Sequence, residues 1–158
     1  ISLIVANIAI DQISKFIVRA EIAKNEIIPV IGDTFIMTNV ENSGAFLGLG
    51  SDMNPTMKLL FLLILPVLVL GYVVYYIFTN KALDRLSLIA FCCIVGGGIA
   101  NVYDRFVYGS VTDFFHIDLG GAFRTGIFNV ADMSVSAGMI MLLLASFTNR
   151  KKDTPRVA

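Results

Sequence analysis

Residues Leu59–Phe78 read LLFLLILPVLVLGYVVYYIF and contain no charged side chain. The hydrocarbon core of a bilayer is about 30 Å thick, and an α-helix needs about 20 apolar residues to cross it. The run has that length, so it predicts a membrane-spanning helix. Pro66 and Gly71 interrupt the run, but membrane helices tolerate both residue types because neighbouring groups satisfy the freed backbone.

Three further apolar runs predict spans, and 56% of the chain is hydrophobic while only 15% is charged. We therefore predict an α-helical integral membrane protein with four transmembrane helices and both termini on one side. No small-residue cleavage site follows the first run, which favours an anchor over a removable signal peptide. The three runs are Ile1 to about Ile17, Leu86–Tyr103 and Ile127–Phe147. The second of these contains Gly96-Gly97-Gly98, at which another backbone can approach closely.

Basic residues predict the orientation, because short cytoplasmic loops carry an excess of Lys and Arg. The loop between the second and third spans and the C-terminal segment are basic, so both are expected in the cytoplasm. Residues 18–56 and 105–126 are then expected on the outer face. We predict a single domain over residues 1–149 and a disordered basic tail over residues 150–158. The basic residues that set this orientation are Lys81, Arg85, Arg150, Lys151, Lys152 and Arg156.

The two outer segments have the composition of strands. Residues 27–40 are rich in β-branched residues around a Gly32-Asp33 turn, and residues 106–115 also have strand character. We expect a small extracytoplasmic β-sheet, a cradle that rests on the helix ends.

Other chemistries find little support in the composition. The formal net charge is zero, so nothing indicates a nucleic-acid partner. Cys92 and Cys93 are adjacent and would point about 100° apart on a helix, which makes them poor disulfide partners for each other. His116 is the single histidine, and no zinc motif is present, so we expect no metal or other cofactor.

Two carboxylates, Asp113 and Asp132, are the candidate catalysts. A carboxylate in an apolar chain is costly and therefore indicates a function or a partner. Asp132 would lie in the first two turns of the last span, and Asp113 precedes that span on the same outer side, so the two can meet. Such a pair would hold one proton. One member would activate a water and the other would polarise the scissile carbonyl, as in an aspartic protease.

Each aspartate also has a structural interpretation. Asp132 could cap the helix that it begins, and Asp113 could lie in a solvated turn. Asp11 and Lys15 are spaced i,i+4, and the interpretation favoured on physical grounds is an ion pair that stabilises both charges in the span. A polar gate or a lipid-headgroup contact is the functional alternative for these two residues.

Two further polar groups could support a site. Asn101 and Arg105 are spaced i,i+4 at the end of the third span. Arg105 could be an anchor that snorkels to the interface, or with Asn101 it could hold a carbonyl or a phosphate of a lipidated ligand. Asp104 is expected to point away from them, toward solvent or a neighbouring base. Asn42 begins a segment that is either an ordinary turn or a loop that cradles substrate.

These residues together resemble the family of lipoprotein signal peptidases, also called signal peptidase II. The resemblance is an ordered set of motifs from about residue 5 to residue 147. The motifs are Asp11-x-x-x-Lys15, Asn42-x-Gly44-Ala45, Gly97-x-x-x-Asn101-x-x-x-Arg105, Val111-x-Asp113-Phe114 and Phe128-Asn129-x-Ala131-Asp132.

The resemblance implies a monomeric aspartic endopeptidase of the bacterial inner membrane, with four transmembrane helices and a periplasmic β-cradle. Such an enzyme cuts prolipoproteins just before a cysteine that carries a diacylglyceryl group. Its expected partners are the lipid-modified precursor, membrane lipid and globomycin-type peptide inhibitors. The implied catalytic residues are Asp113 and Asp132, and the implied substrate-binding or supporting residues are Asn42, Gly44, Asn101, Arg105, Asn129, Asp11 and Lys15.

The chain departs from the family's usual Asn-x-Gly-Ala-Ala-Phe motif, because Phe46 follows Ala45 directly. The alternative function is a non-catalytic four-helix protein, such as a transporter subunit or a lipoprotein-binding factor, that uses the same acids for proton relay or stability. A transporter usually places its polar residues near the bilayer midplane. The polar residues here cluster toward the outer side, which favours chemistry at the membrane surface.

Overall fold

The structure, a computed structural model, describes residues 1–45, 48–120 and 123–153. Long helices and a small sheet make up this part of the chain. The helices are α1 (Ser2–Glu21), α2 (Pro55–Thr79), α3 (Arg85–Tyr108) and α4 (Val130–Asp153), and the strands are β1 (Ile27–Ile31), β2 (Phe35–Asn42) and β3 (Val111–Ile117).

Helices α2, α3 and α4 are long and apolar enough to cross a membrane. Large apolar side chains cover their outer surfaces, and Leu68, Tyr72 and Leu143 are each more than half exposed. A continuous apolar surface of this kind is unfavourable in water and suits lipid. The prediction of a mostly helical membrane protein is therefore confirmed.

Helix α1 buries its charged residues and exposes its apolar ones, which is the reverse of a helix in a water-soluble protein. Its Asp11 and Lys15 are fully buried, whereas Ile13 and Phe16 are 60% and 72% exposed. This pattern fits a helix whose polar face packs against protein and whose apolar face contacts lipid. Because α1 carries several charged residues it is not among the three strongly apolar helices, and its crossing of the membrane stays a prediction.

Helix α2 contains one widened turn. Residues Leu59–Ile64 are π-helical, and the N–H of Leu65 donates to the carbonyl of Leu60, five residues earlier. Pro66 comes next and has no N–H, so it cannot bond the carbonyl of Leu62 as a helical residue normally would. The widened turn lets the helix continue past the proline. The prediction that one helix tolerates Pro66 is therefore confirmed.

The strands form one antiparallel sheet in the order β1, β2, β3. The predicted turn at Gly32-Asp33 joins β1 to β2, and Gly32 adopts a φ of +50° there. Pairing of β2 with β3 places Val40 opposite Asp113. The sheet therefore brings the end of β2, where Asn42 lies, alongside the first candidate carboxylate.

The helices reach further into the predicted outer segments than the sequence suggested. Residues 18–21 belong to α1, and residues 105–108 belong to α3. The strand predicted to begin at Phe106 begins at Val111 instead. Gly109 ends α3 in a left-handed conformation (φ 76°) that other residues rarely adopt, and the chain turns into β3 after it.

A small apolar cluster seats the sheet on the helix ends. Val18 and Ile22 from the end of α1 pack with Phe114 of β3, and Met37, Phe115 and Val130 surround them. Phe114 is the residue after Asp113, so burial of its ring helps to fix where the preceding carboxylate lies.

Parts of two predictions fall outside the described residues. The backbone of α4 is helical through Asp153, four residues into the predicted basic tail, and residues 154–158 are not described. Phe46 and Leu47, at which the loop motif departs from the family pattern, are also outside the described residues.

Two glycines of α3 allow close helix packing, as the Gly96-Gly97-Gly98 run predicted. A Cβ on Gly96 would overlap with Asn7 and Ile4 of α1, and a Cβ on Gly97 would overlap with the carbonyl oxygen of Ala131 in α4. Helix α3 thus touches both neighbours at backbone distance. Ala131, which makes this contact, directly precedes the second candidate carboxylate, Asp132.

We expect Gly97→Ala to lower the free energy of unfolding by about 1–3 kcal/mol, because the added methyl has no room against the backbone of Ala131. Gly71→Ala is the matched control, since a Cβ there meets nothing within 4 Å. Thermal unfolding of the purified protein in one detergent should show a lower Tm for Gly97→Ala only. Equal Tm values for the two variants would contradict the close packing of α3 on α4.

Candidate active site

Both candidate carboxylates contact the same buried residue, Asn129. Its side-chain Nδ2 donates to Asp113 Oδ1 at 2.6 Å, and its backbone N–H donates to Asp132 Oδ2 at 3.2 Å. Asn129 is fully buried. The structure therefore brings Asp113 from β3 and Asp132 from α4 to one asparagine, as the proposed meeting of the two acids requires.

Asp132 lies in the first turn of α4 and helps to cap it, as the structural interpretation predicted. Asn129 Oδ1 accepts a bond from the N–H of Asp132 at 2.9 Å, which completes a reciprocal cap with the bond to Asp132 Oδ2. The other oxygen, Asp132 Oδ1, accepts from Asn101 Nδ2 at 2.9 Å. Asp132 is half-buried, so capping leaves it accessible from one side, and the two roles are compatible.

Asp113 does not lie in a solvated turn, so that interpretation is wrong. It belongs to β3, is only 3% exposed, and accepts a second bond from Asn42 Nδ2 at 2.9 Å. Burial raises the pKa of Asp113 to about 6; the nearby Asp132 carboxylate also raises it, while the amides of Asn42 and Asn129 act in the opposite direction. A carboxyl with this pKa exchanges its proton readily near neutral pH.

Lys15 is fully buried and uses all three of its N–H donors. Its ammonium lies 2.8 Å from Asp11 Oδ2, 2.9 Å from Asp104 Oδ2 and 2.8 Å from Asn101 Oδ1. The predicted ion pair of Asp11 with Lys15 is confirmed. Because both side chains are buried, neither can contact a lipid headgroup in this arrangement.

The ammonium of Lys15 also sets the orientation of an amide next to Asp132. By donating to the oxygen of Asn101, it leaves the Asn101 NH2 group to face the carboxylate of Asp132. Asp11 Oδ1 accepts the backbone N–H of Ala131 at 2.8 Å, which ties the first turn of α4 to α1. The position of Asp132 is thus fixed through side chains of three helices.

Asp104 is the main residue that sequence reasoning left outside the site. It is fully buried and pairs with Lys15 and, at 3.2 Å, with Arg19 Nη2. Gln12 Nε2 donates to Asp104 Oδ1 at 2.9 Å. Asp104 therefore supports the site through Lys15. Its only sequence signal is an acidic residue at the end of an apolar span.

Arg105 holds the loop after β2 and is not a snorkelling anchor. It is half-buried; its Nη2 donates to the carbonyl of Gly44 at 2.8 Å and its Nη1 donates to the carbonyl of Asn101 at 3.3 Å. Asn42 Oδ1 accepts the N–H of Gly44 at 2.9 Å, so this loop is fixed from both sides. Arg105 Nε is buried and has no hydrogen-bond partner among the described residues, which leaves one donor for a ligand.

Each carboxylate lines its own cavity. The cavity at Asp132 has a volume of about 540 Å³ and apolar walls from α2 and α4. The cavity at Asp113 has a volume of about 300 Å³ and lies under the end of β2. An extended chain that occupied both would pass the two carboxylates. The first cavity is lined by Phe61, Leu62, Pro66, Val135 and Met139 with Asn101 and Arg105, and the second by Val40, Glu41, Asn42 and Ile127.

The described residues offer no evident metal site. Within them, no group of three or more His, Cys, Asp or Glu side chains could hold a metal ion. Cys92 and Cys93 are free thiols in the body of α3. The polar side chains that line the two cavities are carboxylates, amides, one guanidinium and the hydroxyls of Ser43, Ser51 and Ser136.

Comparisons with known proteins match the chain to one family. Residues 3–148 match the family described as Signal peptidase (SPase) II. Curated relatives include the lipoprotein signal peptidases of Streptococcus pyogenes serotype M1 and serotype M5 (strain Manfredo). Each is 35% identical over 137 residues, which cover 87% of this chain and 85% of the relative.

Two solved structures of bacterial membrane enzymes, both determined by the in meso method, share the fold. One has a TM-score of 0.85 at 24% identity and covers 99% of this chain and 92% of its own. The other has a TM-score of 0.80 at 25% identity and covers 96% and 92%. The arrangement of helices and sheet described above therefore recurs in experimental structures.

Replacing Lys15 tests the buried network. We expect Lys15→Met to lower the free energy of unfolding by about 3–5 kcal/mol, because Asp11 and Asp104 would stay buried without their shared cation. Lys24→Met, at an exposed position, is the control. Adding Asp11→Asn to Lys15→Met should recover part of the loss. A Lys15→Met protein with the same free energy of unfolding as the wild type would contradict the network.

Proposed function

We propose that this chain, which belongs to the signal peptidase II family, cleaves its substrates by aspartic chemistry at Asp113 and Asp132. The family assignment makes the chain a membrane peptidase that removes signal peptides from prolipoproteins. The aspartic mechanism rests on one observation, the contact of both carboxylates with Asn129. The family assignment does not favour the alternative of a transporter subunit.

In the proposed reaction the two carboxylates share one proton before substrate binds. The ionised member takes a proton from a water, and the water oxygen attacks the scissile carbonyl carbon. The protonated member donates its proton to the carbonyl oxygen, which gives a neutral gem-diol. The first carboxyl then returns its proton to the departing amine nitrogen as the C–N bond breaks, and the second takes back the proton of one hydroxyl as the carboxylic acid product forms.

Supporting roles follow from the contacts of the amides and the arginine. The Asn101, Asn129 and Asn42 amides donate to the carboxylates and stabilise their ionised forms. Arg105 lines the cavity at Asp132, and its Nε, which has no partner among the described residues, is assigned to a carbonyl oxygen of the bound peptide. Lys15 and Asp11 are positioning residues, because they reach the site only through Asn101 and Ala131.

The two cavities suggest how substrate binds. We assign the apolar cavity of α2 and α4 to the membrane-embedded part of the precursor, including the diacylglyceryl group on the cysteine after the cut. The smaller cavity under β2 is assigned to the mature chain. A globomycin-type peptide inhibitor would occupy the same path and contact both carboxylates.

The membrane placement is part of the same proposal. Helix α1 completes a bundle of four spans, with its buried charges toward the protein and its apolar face toward lipid. The sheet then lies on the periplasmic face of a bacterial inner membrane, and both termini are cytoplasmic. One chain supplies both carboxylates and all of their amide donors, which is consistent with a monomeric enzyme.

Asp113→Asn and Asp132→Asn are each expected to reduce cleavage of a diacylglyceryl-modified precursor by at least about 100-fold, because each variant removes one acid–base partner. Asparagine has nearly the same shape, so both variants should fold, but its NH2 group faces one of the donors that the carboxylate accepted from, so a modest fall in Tm is expected. Asp118→Asn is the control, since Asp118 lies outside both cavities and its ion pair with Arg124 is long, at 3.9 Å.

A gel-shift assay with lipidated and unlipidated precursor in parallel measures this effect. The wild type and Asp118→Asn should cut only the lipidated form. Near-wild-type turnover by Asp113→Asn or Asp132→Asn would refute the aspartic mechanism while leaving the family assignment intact.

A further inference from the structure

A third cavity, of about 440 Å³, lies where α1 and α3 end against the sheet. Asp113, Asp132 and Asn129 do not line it, although Glu41 lines both this cavity and the one under β2. Its volume is in the range of small-ligand sites. Its polar lining consists of Arg19, Lys24, Asn39, Glu41, Tyr108 and Ser110.

Two residues that line this cavity carry hydrogen-bond acceptors without a positively charged partner. Asn39 is only 5% exposed; its Nδ2 donates to the carbonyl of Ile22 at 2.8 Å, but its Oδ1 has no partner among the described residues. The Glu41 carboxylate accepts bonds from two hydroxyls, those of Ser110 and Thr112. No described Lys or Arg nitrogen lies within ion-pair distance of Glu41. Arg19 reaches Glu41 only through a hydroxyl, because its Nε donates to Thr112 Oγ1 at 2.7 Å and that hydroxyl donates to Glu41. A buried acceptor and a carboxylate with no cation in direct contact together fit a cationic N–H donor.

Lys24 and Arg19 bring positive charge to the same cavity. Lys24 is exposed and forms no ion pair with a described residue. Arg19 stacks on the ring of Tyr108 at 4.0 Å, and its charge is already balanced by Asp104 at 3.2 Å. The uncompensated charges are thus one negative, at Glu41, and one positive, at Lys24. A zwitterionic ligand matches this pair of charges.

We propose that the cavity binds the headgroup of a phospholipid that carries a primary ammonium. The ammonium donates to Asn39 Oδ1 and to Glu41, and the phosphate faces Lys24 and the outer edge of Arg19. The surroundings suit a lipid, since Phe16, one helical turn from Arg19, is 72% exposed and offers an apolar surface to an acyl chain. Tyr108 supplies the aromatic ring typical of the membrane interface.

Native mass spectrometry of the full-length protein tests the proposal. The protein is mixed with equal amounts of phosphatidylethanolamine, phosphatidylcholine and phosphatidylglycerol of identical acyl chains. We expect phosphatidylethanolamine to be retained at least about threefold over each of the others, because choline has no N–H donor and glycerol has no positive charge. Equal retention would overturn the proposal in favour of a water-filled cavity, and preference for phosphatidylglycerol would overturn the charge assignment.

Variants connect the preference to this cavity. Lys24→Gln and Glu41→Gln should each remove most of the threefold preference, while Lys24→Arg should keep it, and Lys81→Gln, on the loop between α2 and α3, is the control. Soluble phosphoethanolamine should displace the lipid only weakly if the acyl chains contribute, and complete displacement would identify a site for the free headgroup compound instead. Unchanged preference in Lys24→Gln, an exposed substitution that should not impair folding, would by itself overturn the proposal.

Discussion

The ammonium group of Lys15 connects the polar interior of this protein. A buried ammonium is tolerated only when its donors are paired, and here it contacts Asp11 of its own helix and both Asp104 and Asn101 of α3. Through Asp11 it reaches the first turn of α4, and through Asn101 it reaches Asp132. The requirement to satisfy one charge therefore fixes the relative positions of three helices, and with them the second carboxylate of the site.

The site forms where this helical network meets the sheet. Asp113 comes from a strand and Asp132 from a helix, and Asn129 contacts both at the start of α4. The apolar cavity opens at one carboxylate and the cavity under β2 opens at the other. The proposed substrate fits this combination, because its signal peptide and its diacylglyceryl group are apolar while the chain beyond the lipidated cysteine leaves the membrane.

The sequence predicted the features that depend on local composition. Long apolar runs identified the three helices that are long and apolar enough to cross a membrane, and Pro66 and the glycine triplet behaved as expected. The two aspartates were identified because a charge in lipid is costly. The rest depends on contacts between distant residues. Burial of Asp104 depends on its ion pairs with Lys15 and Arg19 from another helix. The hydrogen bond from Arg105 to the carbonyl of Gly44 forms only because the loop after β2 returns to α3. The start of β3 was predicted too early because α3 continues to Tyr108, where Gly109 ends it.

The central claim is that Asp113 and Asp132 act as one coupled pair. Carbon-13 NMR of aspartate carboxyls in lipid bilayers, with Asp113 assigned by substitution, measures this directly. We predict a pKa of about 6 for Asp113 instead of the ordinary 3.8. In Asp132→Asn the pKa of Asp113 should be lower than in the wild type, because the neighbouring carboxylate helps to raise it. A pKa of Asp113 near 3.8 that Asp132→Asn leaves unchanged would contradict the coupled pair.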